Sequence, residues 1–369
     1  MSSTERIAYA QPRFWGTEEA RVVEALRSGW ISTGPFVSRF EEMVCSAFQS
    51  KHALAVSNGT TALHLAYLAL GLRAGDEVII PAFSYLAAAN VAIQLGLVPV
   101  FADVDDSTFC LTAETVSRVV TDRTRVIVAI HTYGSMCDVD AITDVVRSRG
   151  IVVIEDSAEA MGSKLRGRFA GTIAPIGTLS FHAAKTITTG EGGMVLSTDD
   201  ALAESMRSWR THGSTHTRYW HDVPGHNFRM GNLQGAFGCA QMEHWETVVT
   251  ERRALVEKYS TELAGRVGIA VQQPGDDVEP LVWAIAVELD PMAFPQGRDA
   301  VLKEMADRGV ECRNGFYSPS QMPLYAPYRC DTPVSDRLAR NVISLPTYVG
   351  LTGSEIERVV ETLVGLATS

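Results

Sequence analysis

The chain has 369 residues, of which 46% are hydrophobic and 20% are charged, and its formal net charge is -11. This composition is typical of a globular protein, and the length predicts a large domain accompanied by a smaller one. The acidic balance argues against nucleic acid or an anionic membrane as the main partner. An anionic ligand would therefore need a local pocket of hydrogen-bond donors.

Neither a secretory signal nor a membrane span is expected. The first residues lack a basic segment followed by an apolar one, and no stretch approaches the roughly 20 apolar residues that cross a bilayer. The six cysteines are scattered, with no C-x-x-C pair and no paired histidine spacing. This usage predicts a cytoplasmic protein with reduced thiols and without a metal site.

The pattern along the chain predicts an α/β fold. An amphipathic helix is expected over residues 16–28, with Thr17 as its N-cap. From about residue 52 to 210, helical patterns alternate with five short apolar runs: HALAVS, DEVIIP, LVPVFADVD, RVIVAIHTYG and GIVVIEDSA. Such alternation indicates a mainly parallel sheet covered on both faces. Ligands of these sheets bind beyond the carboxyl ends of the strands.

The second half of the chain begins with a change of pattern. Residues 211–232 show neither helical nor strand period, and loops of this kind are uncommon unless they have a function. One long helix is predicted from Leu233 to Leu263, followed by a small C-terminal α+β domain. We place the large domain at residues 1–245, including the N-terminal helix, and the small domain at residues 246–369.

Lys185 is the first candidate for chemistry. It stands in SFHAAKTITTGEGGMVLS, and the next charge along the chain is Glu191. A sheltered lysine can form a Schiff base, because burial disfavours its ammonium form. The alternative is an ordinary exposed lysine. A P-loop is excluded, since Leu179 and Ala184 occupy the positions where that motif requires glycine.

Three carboxylates follow the most apolar predicted strand. Glu155 is expected to cap a helix or to face solvent. Asp156 ends the buried run, and a buried carboxylate normally requires a cationic partner. The protonated pyridine nitrogen of pyridoxal phosphate would be such a partner, and its charge makes the ring an electron sink. Lys185 and Asp156 together therefore favour this cofactor.

A phosphate site is expected where SNGTTALHLA, which begins at Ser57, turns into a helix. Backbone N–H groups at a helix N-terminus suit a phosphate dianion. Ser180 could donate its hydroxyl to the same phosphate, and Tyr85 could stack on the cofactor ring. The alternatives are an ordinary capped helix, an inert strand serine and a core aromatic.

Seven segments resemble the DegT/DnrJ/EryC1/StrS family of sugar aminotransferases: GTTALHLA, GDEVIIPAFSYLAAAN, PVFADVD, VIEDSAEAMGS, SFHAAKTITTGEGGMV, HNFRMGNLQGAFG and SLPTYVGLT. The likeness runs from GWISTGPFVSRFEE to the final helix. It implies the type I aminotransferase fold and a homodimer whose two active sites lie at the interface. It also implies pyridoxal phosphate as the cofactor, with pyridoxamine phosphate as its intermediate form.

The resemblance assigns roles to the central residues. Lys185 is implied to be the Schiff-base lysine, and Asp156 the partner of the pyridine nitrogen. Glu159 stands where many members have a glutamine near the 3-hydroxyl of the cofactor. Because the lysine must leave the cofactor and act as a base, we expect no carboxylate to hold it in a salt bridge.

The remaining matches concern the phosphate, the ring and the substrate. The implied phosphate-binding positions are Gly59, Thr60 and Ser180. Tyr85 falls at the ring-stacking position, and Asn227 matches an asparagine that reaches the phosphate from the neighbouring subunit. The candidate substrate-binding residues are Arg229, His182 and Glu191.

The activity implied is a transamination with L-glutamate or L-glutamine as the amino donor. We favour a nucleotide-linked 4-keto-6-deoxy sugar as the acceptor. One alternative is a cyclitol aminotransferase that acts on a keto-inositol. Another is a regulator that binds pyridoxal phosphate without turnover, which the lack of an appended DNA-binding segment disfavours.

Overall fold

The computed structural model describes residues 6–214, 217, 219–328 and 330–368. The helices are α1 (Glu18–Arg27), α2 (Pro35–Phe48), α3 (Gly59–Ala69), α4 (Ala87–Gln94), α5 (Ala113–Ser117), α6 (Val139–Val146), α7 (Asp200–Arg210), α8 (Asn232–Met242), α9 (Trp245–Leu263), α10 (Arg298–Asp307), α11 (Pro333–Asn341) and α12 (Gly353–Val364). The strands are β1 (His52–Val56), β2 (Glu77–Pro81), β3 (Val98–Ala102), β4 (Thr124–Ile130), β5 (Val152–Asp156), β6 (Lys164–Leu165), β7 (Arg168–Phe169), β8 (Ile176–Ser180), β9 (Gly193–Ser197), β10 (Ile269–Val271), β11 (Val278–Glu279), β12 (Ile285–Leu289), β13 (Arg313–Asn314) and β14 (Val342–Leu345).

The large sheet has seven strands in the order β1-β9-β8-β5-β4-β2-β3. The pairs from β8 through to β3 are parallel, while β9 runs antiparallel to both of its neighbours. Successive residues of β2 serve opposite faces: Val78 and Ile80 join a core with α3 and α4, whereas Ile79 joins a core with α6. The predicted α/β fold with a mainly parallel sheet is confirmed.

A four-stranded antiparallel sheet, in the order β10-β12-β14-β13, forms the C-terminal part of the fold. Helices α9, α10 and α12 bury their apolar faces against it, with Tyr259, Met305 and Val360 fully buried in the shared core. A third, small sheet joins β6 and β7 to β11. The exact boundary at residues 245 and 246 stays a prediction. Within the described ranges, no helix is both long and apolar enough to cross a membrane.

One local prediction about the helices is wrong, and a second holds for the position of the residue but not for its hydrogen bond. The long helix expected from Leu233 is divided into α8 and α9, and at the break His244 stacks on the Trp15 ring with centroids 4.7 Å apart. Thr17 is the N-cap residue of α1, as predicted, but its side chain makes no capping hydrogen bond. The carboxylate of Glu18 instead accepts hydrogen bonds from the N–H groups of Trp15 and Gly16. An acidic residue in the first turn thus satisfies the donors that precede the helix.

The segment between α7 and α8 contains no further helix or ladder of strands in its described residues, as its pattern predicts. Its end is nevertheless fixed to the large sheet. Arg229 forms a single antiparallel bridge with Val56, and the N–H of Ser57 donates to Phe228 O at 2.9 Å. This contact places residues 227–229 beside the turn between β1 and α3.

Candidate active site

The candidate site lies at the carboxyl ends of β5 and β8, which are neighbours in the large sheet. Asp156 is the last residue of β5 and Ser180 is the last residue of β8. The chain after β8 reaches Lys185 through a short turn, in which the N–H of Lys185 donates to His182 O at 2.9 Å. Parallel strands that end at one edge therefore bring the central predicted residues together.

The start of α3 provides a cradle for an anion. Asn58 caps the helix by accepting hydrogen bonds from the N–H and the hydroxyl of Thr61. The N–H groups of Gly59 and Thr60, in the first turn, have no intrahelical acceptor. A Cβ on Gly59 would lie 3.1 Å from Cβ of Ser180. Room and donors at this point fit a phosphate group, as the sequence predicts.

Asp156 is 7% exposed and retains one free carboxylate oxygen. Its Oδ1 accepts hydrogen bonds from the N–H of Ala158 at 3.1 Å and from the hydroxyl of Thr178 at 3.3 Å. Oδ2 accepts none from the residues that the structure describes. Burial raises the pKa of Asp156, while the Ala158 N–H and the charge of Lys185 oppose that shift. A protonated ring nitrogen would be a suitable partner for Oδ2.

The side chain of Lys185 is 13% exposed, and its Nζ lies 3.6 Å from Oε1 of Glu159. Burial lowers the pKa of Lys185 and raises the pKa of Glu159, so both shifts favour the neutral forms. The expectation that no carboxylate holds Lys185 in a salt bridge is wrong. The turn after β5 carries Glu159 to the lysine, and distance along the sequence gives no sign of this contact.

The Gly-Glu-Gly-Gly segment returns the chain to the sheet. The N–H of Phe181 donates to Gly192 O at 2.8 Å, and β9 begins at Gly193 and pairs antiparallel with β8. His182 and Glu191 lie on the exposed side of this reversal, with Nε2 and Oε1 separated by 3.9 Å. Both side chains are open to solvent at the rim of the site, where a substrate could contact them.

Glu155 has a structural position that differs from the predicted one. It is fully buried, and its carboxylate accepts hydrogen bonds from the N–H groups of Gly171, Ile173 and Ala174. His131 completes the set, because its Nδ1 accepts from a backbone N–H and its Nε2 must then donate to Glu155 at 3.0 Å. The carboxylate therefore fixes the loop after β7 and neither caps a helix nor faces solvent.

The structure brings neither Tyr85 nor Asn227 nor Arg229 into a hydrogen bond or ion pair with Lys185. Tyr85 is 67% exposed in the turn before α4. Asn227 is exposed, and its Oδ1 accepts a hydrogen bond from Nε of Arg229 at 3.0 Å. Their contacts with a cofactor, a substrate or a neighbouring subunit stay predictions.

Trp283 is a site residue that the sequence did not indicate. The Nζ of Lys185 lies 3.7 Å from the centroid of its ring. Trp283 belongs to LVWAIAVEL, which has the pattern of an ordinary core strand, and the contact joins two distant parts of the chain. No local pattern could have revealed it.

Comparisons with known proteins identify the family of the chain. The model of the DegT/DnrJ/EryC1/StrS aminotransferase family matches residues 15–364. The GDP-perosamine synthase of Caulobacter vibrioides is 39% identical over 98% of this chain and 99% of its own. That of Escherichia coli O157:H7 is 36% identical over 96% of each chain. A Streptococcus pneumoniae sugar aminotransferase solved in its PLP form is 25% identical, covers 98% of both chains and has a TM-score of 0.91.

The chain belongs to the DegT/DnrJ/EryC1/StrS aminotransferase family. It is a transaminase that uses pyridoxal phosphate, and its fold is that of the sugar aminotransferases. The groups described above fit this cofactor: a phosphate cradle at α3, a free oxygen on Asp156 and an amine at Lys185. When bound, the cofactor supplies the aldehyde that receives the amino group and the ring that withdraws electrons.

Proposed function

We propose that the enzyme moves an amino group from L-glutamate or L-glutamine to a nucleotide-linked 4-keto-6-deoxy sugar. The observation that carries this proposal is the similarity, over 98% of the chain, to a protein named GDP-perosamine synthase. A second relative of the same name, at 36% identity, supports it. These names favour a sugar over a keto-inositol, and membership of a transaminase family disfavours a regulator without turnover.

In this proposal Lys185 is the lysine that holds the cofactor, and Asp156 keeps the ring nitrogen protonated. Once its amine is free, Nζ of Lys185 accepts the proton from Cα of the amino donor and later returns a proton to the acceptor. Burial lowers the pKa of Lys185, which suits this task because it increases the fraction of the amine that can accept a proton at a given pH. Gly59, Thr60 and Ser180 hold the phosphate, and Tyr85 covers the ring.

The acceptor enters from the exposed rim. His182, Glu191 and Arg229 are polar or charged groups that a sugar and its phosphates could contact. Glu159, whose other oxygen accepts the N–H of Tyr133 at 3.0 Å, faces the 3-hydroxyl of the cofactor in this proposal.

A homodimer with shared active sites is part of the proposal. The exposed aromatic residues of the chain include Trp30, Tyr85 and Trp220, and exposed apolar groups of this size are common at protein interfaces. Asn227 would reach the phosphate of the neighbouring subunit. Asn227→Ala should then weaken cofactor retention, and mixing it with Lys185→Ala should restore one complete site in each mixed dimer.

All six cysteines are free, which supports a reducing cytoplasmic setting.

Hydride reduction tests the assignment of Lys185. The purified protein should be yellow, and reduction should leave the cofactor attached to the peptide that contains Lys185. Lys185→Ala should lose both the label and turnover while it keeps its fold, because it removes a site group and little core packing. A label on another lysine would refute the assignment.

The acceptor is tested by single turnover of the pyridoxamine form. Nucleotide-linked 4-keto-6-deoxy sugars and scyllo-inosose are each mixed with that form, and its disappearance is followed by absorbance. We expect consumption by a nucleotide-linked sugar. Consumption by scyllo-inosose alone would replace the proposed acceptor with a cyclitol.

A further inference from the structure

Trp283 contacts the Lys185 side chain in the way that an aromatic ring holds a cation. Nζ lies 3.7 Å from the ring centroid, well inside the range of about 6 Å over which this attraction acts. Among the described residues, Glu159 is the acid that lies within ion-pair distance of Nζ. The amine is largely withdrawn from solvent, and cation–π attraction is stronger where water is excluded.

The indole also fixes the turn that carries the lysine. Its Nε1–H donates to the carbonyl oxygen of Ala184 at 2.7 Å. The backbone N–H of Trp283 donates to Tyr133 O at 3.0 Å, and the Tyr133 ring lies nearly parallel to the indole, with centroids 6.1 Å apart. One side chain therefore contacts both the backbone next to Lys185 and its amine, and its own orientation is fixed by Tyr133.

Arg252 fixes the backbone at Val282 and Trp283. Its side chain, on α9, is 3% exposed, and Nη1 donates to the carbonyl oxygens of Val282 and Trp283 at 3.1 and 3.2 Å. Burial lowers the pKa of Arg252 to about 10. Its charge lowers the pKa of Lys185, whereas Glu159 and Asp156 raise it. The charges that shift the pKa of Lys185 thus come both from the region of the large sheet, with Glu159 and Asp156, and from α9, with Arg252.

We propose that Trp283 is a positioning residue for Lys185: its ring holds the amine in the protonated form that follows removal of a proton from the substrate, and its N–H fixes the turn at Ala184. The inference rests on the role proposed above for Lys185. The protonated lysine side chain has many rotamers, and a contact that restricts them keeps Nζ near the carbon to which it delivers the proton. Trp283 itself takes no part in proton transfer.

The test compares Trp283→Phe and Trp283→Leu with the natural chain. Phenylalanine keeps an aromatic face without the N–H group, and leucine removes both. The control is Trp245→Phe, a buried tryptophan of the aromatic cluster with Phe48. In the full-length chain freed of cofactor, the rate at which trace acetic anhydride labels Lys185 is measured against pH by mass spectrometry, with exposed Lys303 as the internal standard.

We expect the pH midpoint of Lys185 acetylation to be highest in the natural chain, lower in the phenylalanine variant and lowest in the leucine variant. The leucine variant should lie about one pH unit below the natural chain. The control variant should leave it unchanged. In the holoenzyme, kcat should fall about tenfold for leucine with little change in KM, and phenylalanine should recover part of the loss.

A leucine variant with the same midpoint as the natural chain, or a higher one, would overturn the inference. If the leucine variant does not fold in thermal unfolding, Trp283→Gln, which also lacks an aromatic face, takes its place, and a midpoint equal to or above that of the natural chain refutes the cation–π contact. If Lys185 is not the lysine that holds the cofactor, the result is different, because the hydride label would then lie on another lysine.

Discussion

Oε1 of Glu159 lies 3.6 Å from Nζ of Lys185, while Oε2 of the same carboxylate accepts the backbone N–H of Tyr133. One buried acid thus joins the lysine to a residue whose backbone has a positive φ of 57°. Such a conformation is costly for a bulky residue, so the hydrogen bond stabilises the turn after β4 as well. The Glu159 carboxylate therefore has two roles: its charge acts on Lys185, and its hydrogen bond supports the turn at Tyr133. An amide at this position would keep only the second role.

Glu159→Gln isolates the electrostatic role, because the amide oxygen can still accept the Tyr133 N–H. In its ionised form Glu159 favours the protonated form of the Lys185 nitrogen, so replacing it with an uncharged amide should lower the pKa of that nitrogen. We expect the pH midpoint of the visible absorption band of the holoenzyme to fall by about one unit. Thermal unfolding serves as the control for the turn. An unchanged midpoint in a folded variant would show that the carboxyl is neutral throughout the titration.

The sequence allowed prediction of those parts of the site that depend on local order along the chain. Asp156 and Ser180 end buried strands, and Gly59 begins a helix after a strand, so strand and helix patterns suffice to bring them to one edge of the sheet. The contacts of Lys185 with Glu159 and Trp283 depend on how separate turns and the C-terminal part pack. Such long-range contacts have no local signature, which is why both were missed.

The burial of Glu155 shows a second limit. In the sequence, the pattern of Glu155, Asp156 and Glu159 near the end of a strand is the same whether a given carboxylate faces water or accepts hydrogen bonds from buried backbone N–H groups. In the structure, three backbone N–H groups and His131 hold the Glu155 carboxylate in the interior. These groups come from loops, which have neither a helical nor a strand period in the sequence.

Asp156→Asn should reduce kcat by about 100-fold, the usual effect of removing one electrostatic contact to a reacting group. The amide keeps the shape and can still accept from Ala158, but it cannot hold a proton on the ring nitrogen. Steady-state kinetics with a keto-sugar acceptor measure the loss, with Asp307→Asn at the exposed end of α10 as the control. Retention of at least half of kcat would exclude Asp156 as the partner of the ring nitrogen.

Gly59→Ala should weaken cofactor binding. The added Cβ would lie 3.1 Å from Cβ of Ser180 and 3.4 Å from its hydroxyl oxygen, and it would narrow the space for the phosphate. We expect Kd for pyridoxal phosphate to rise about tenfold or more, which corresponds to roughly 1.4 kcal/mol. The matched control is Gly353→Ala, also at the first residue of a helix, where the nearest atom lies 3.7 Å away. Equal affinities in titrations of the two variants would place the phosphate elsewhere.

Glu155→Gln should destabilise the fold at a distance from the reacting groups. The carboxylate accepts three backbone N–H groups and the imidazole N–H of His131, and an amide would turn two of its own hydrogens toward these donors. A buried acceptor set broken in this way costs about 3 kcal/mol in the free energy of unfolding. Urea unfolding followed by circular dichroism measures the change, with the exposed Glu361→Gln as its control. The same free energy of unfolding in both variants would refute the view that all four of these donors depend on the Glu155 carboxylate.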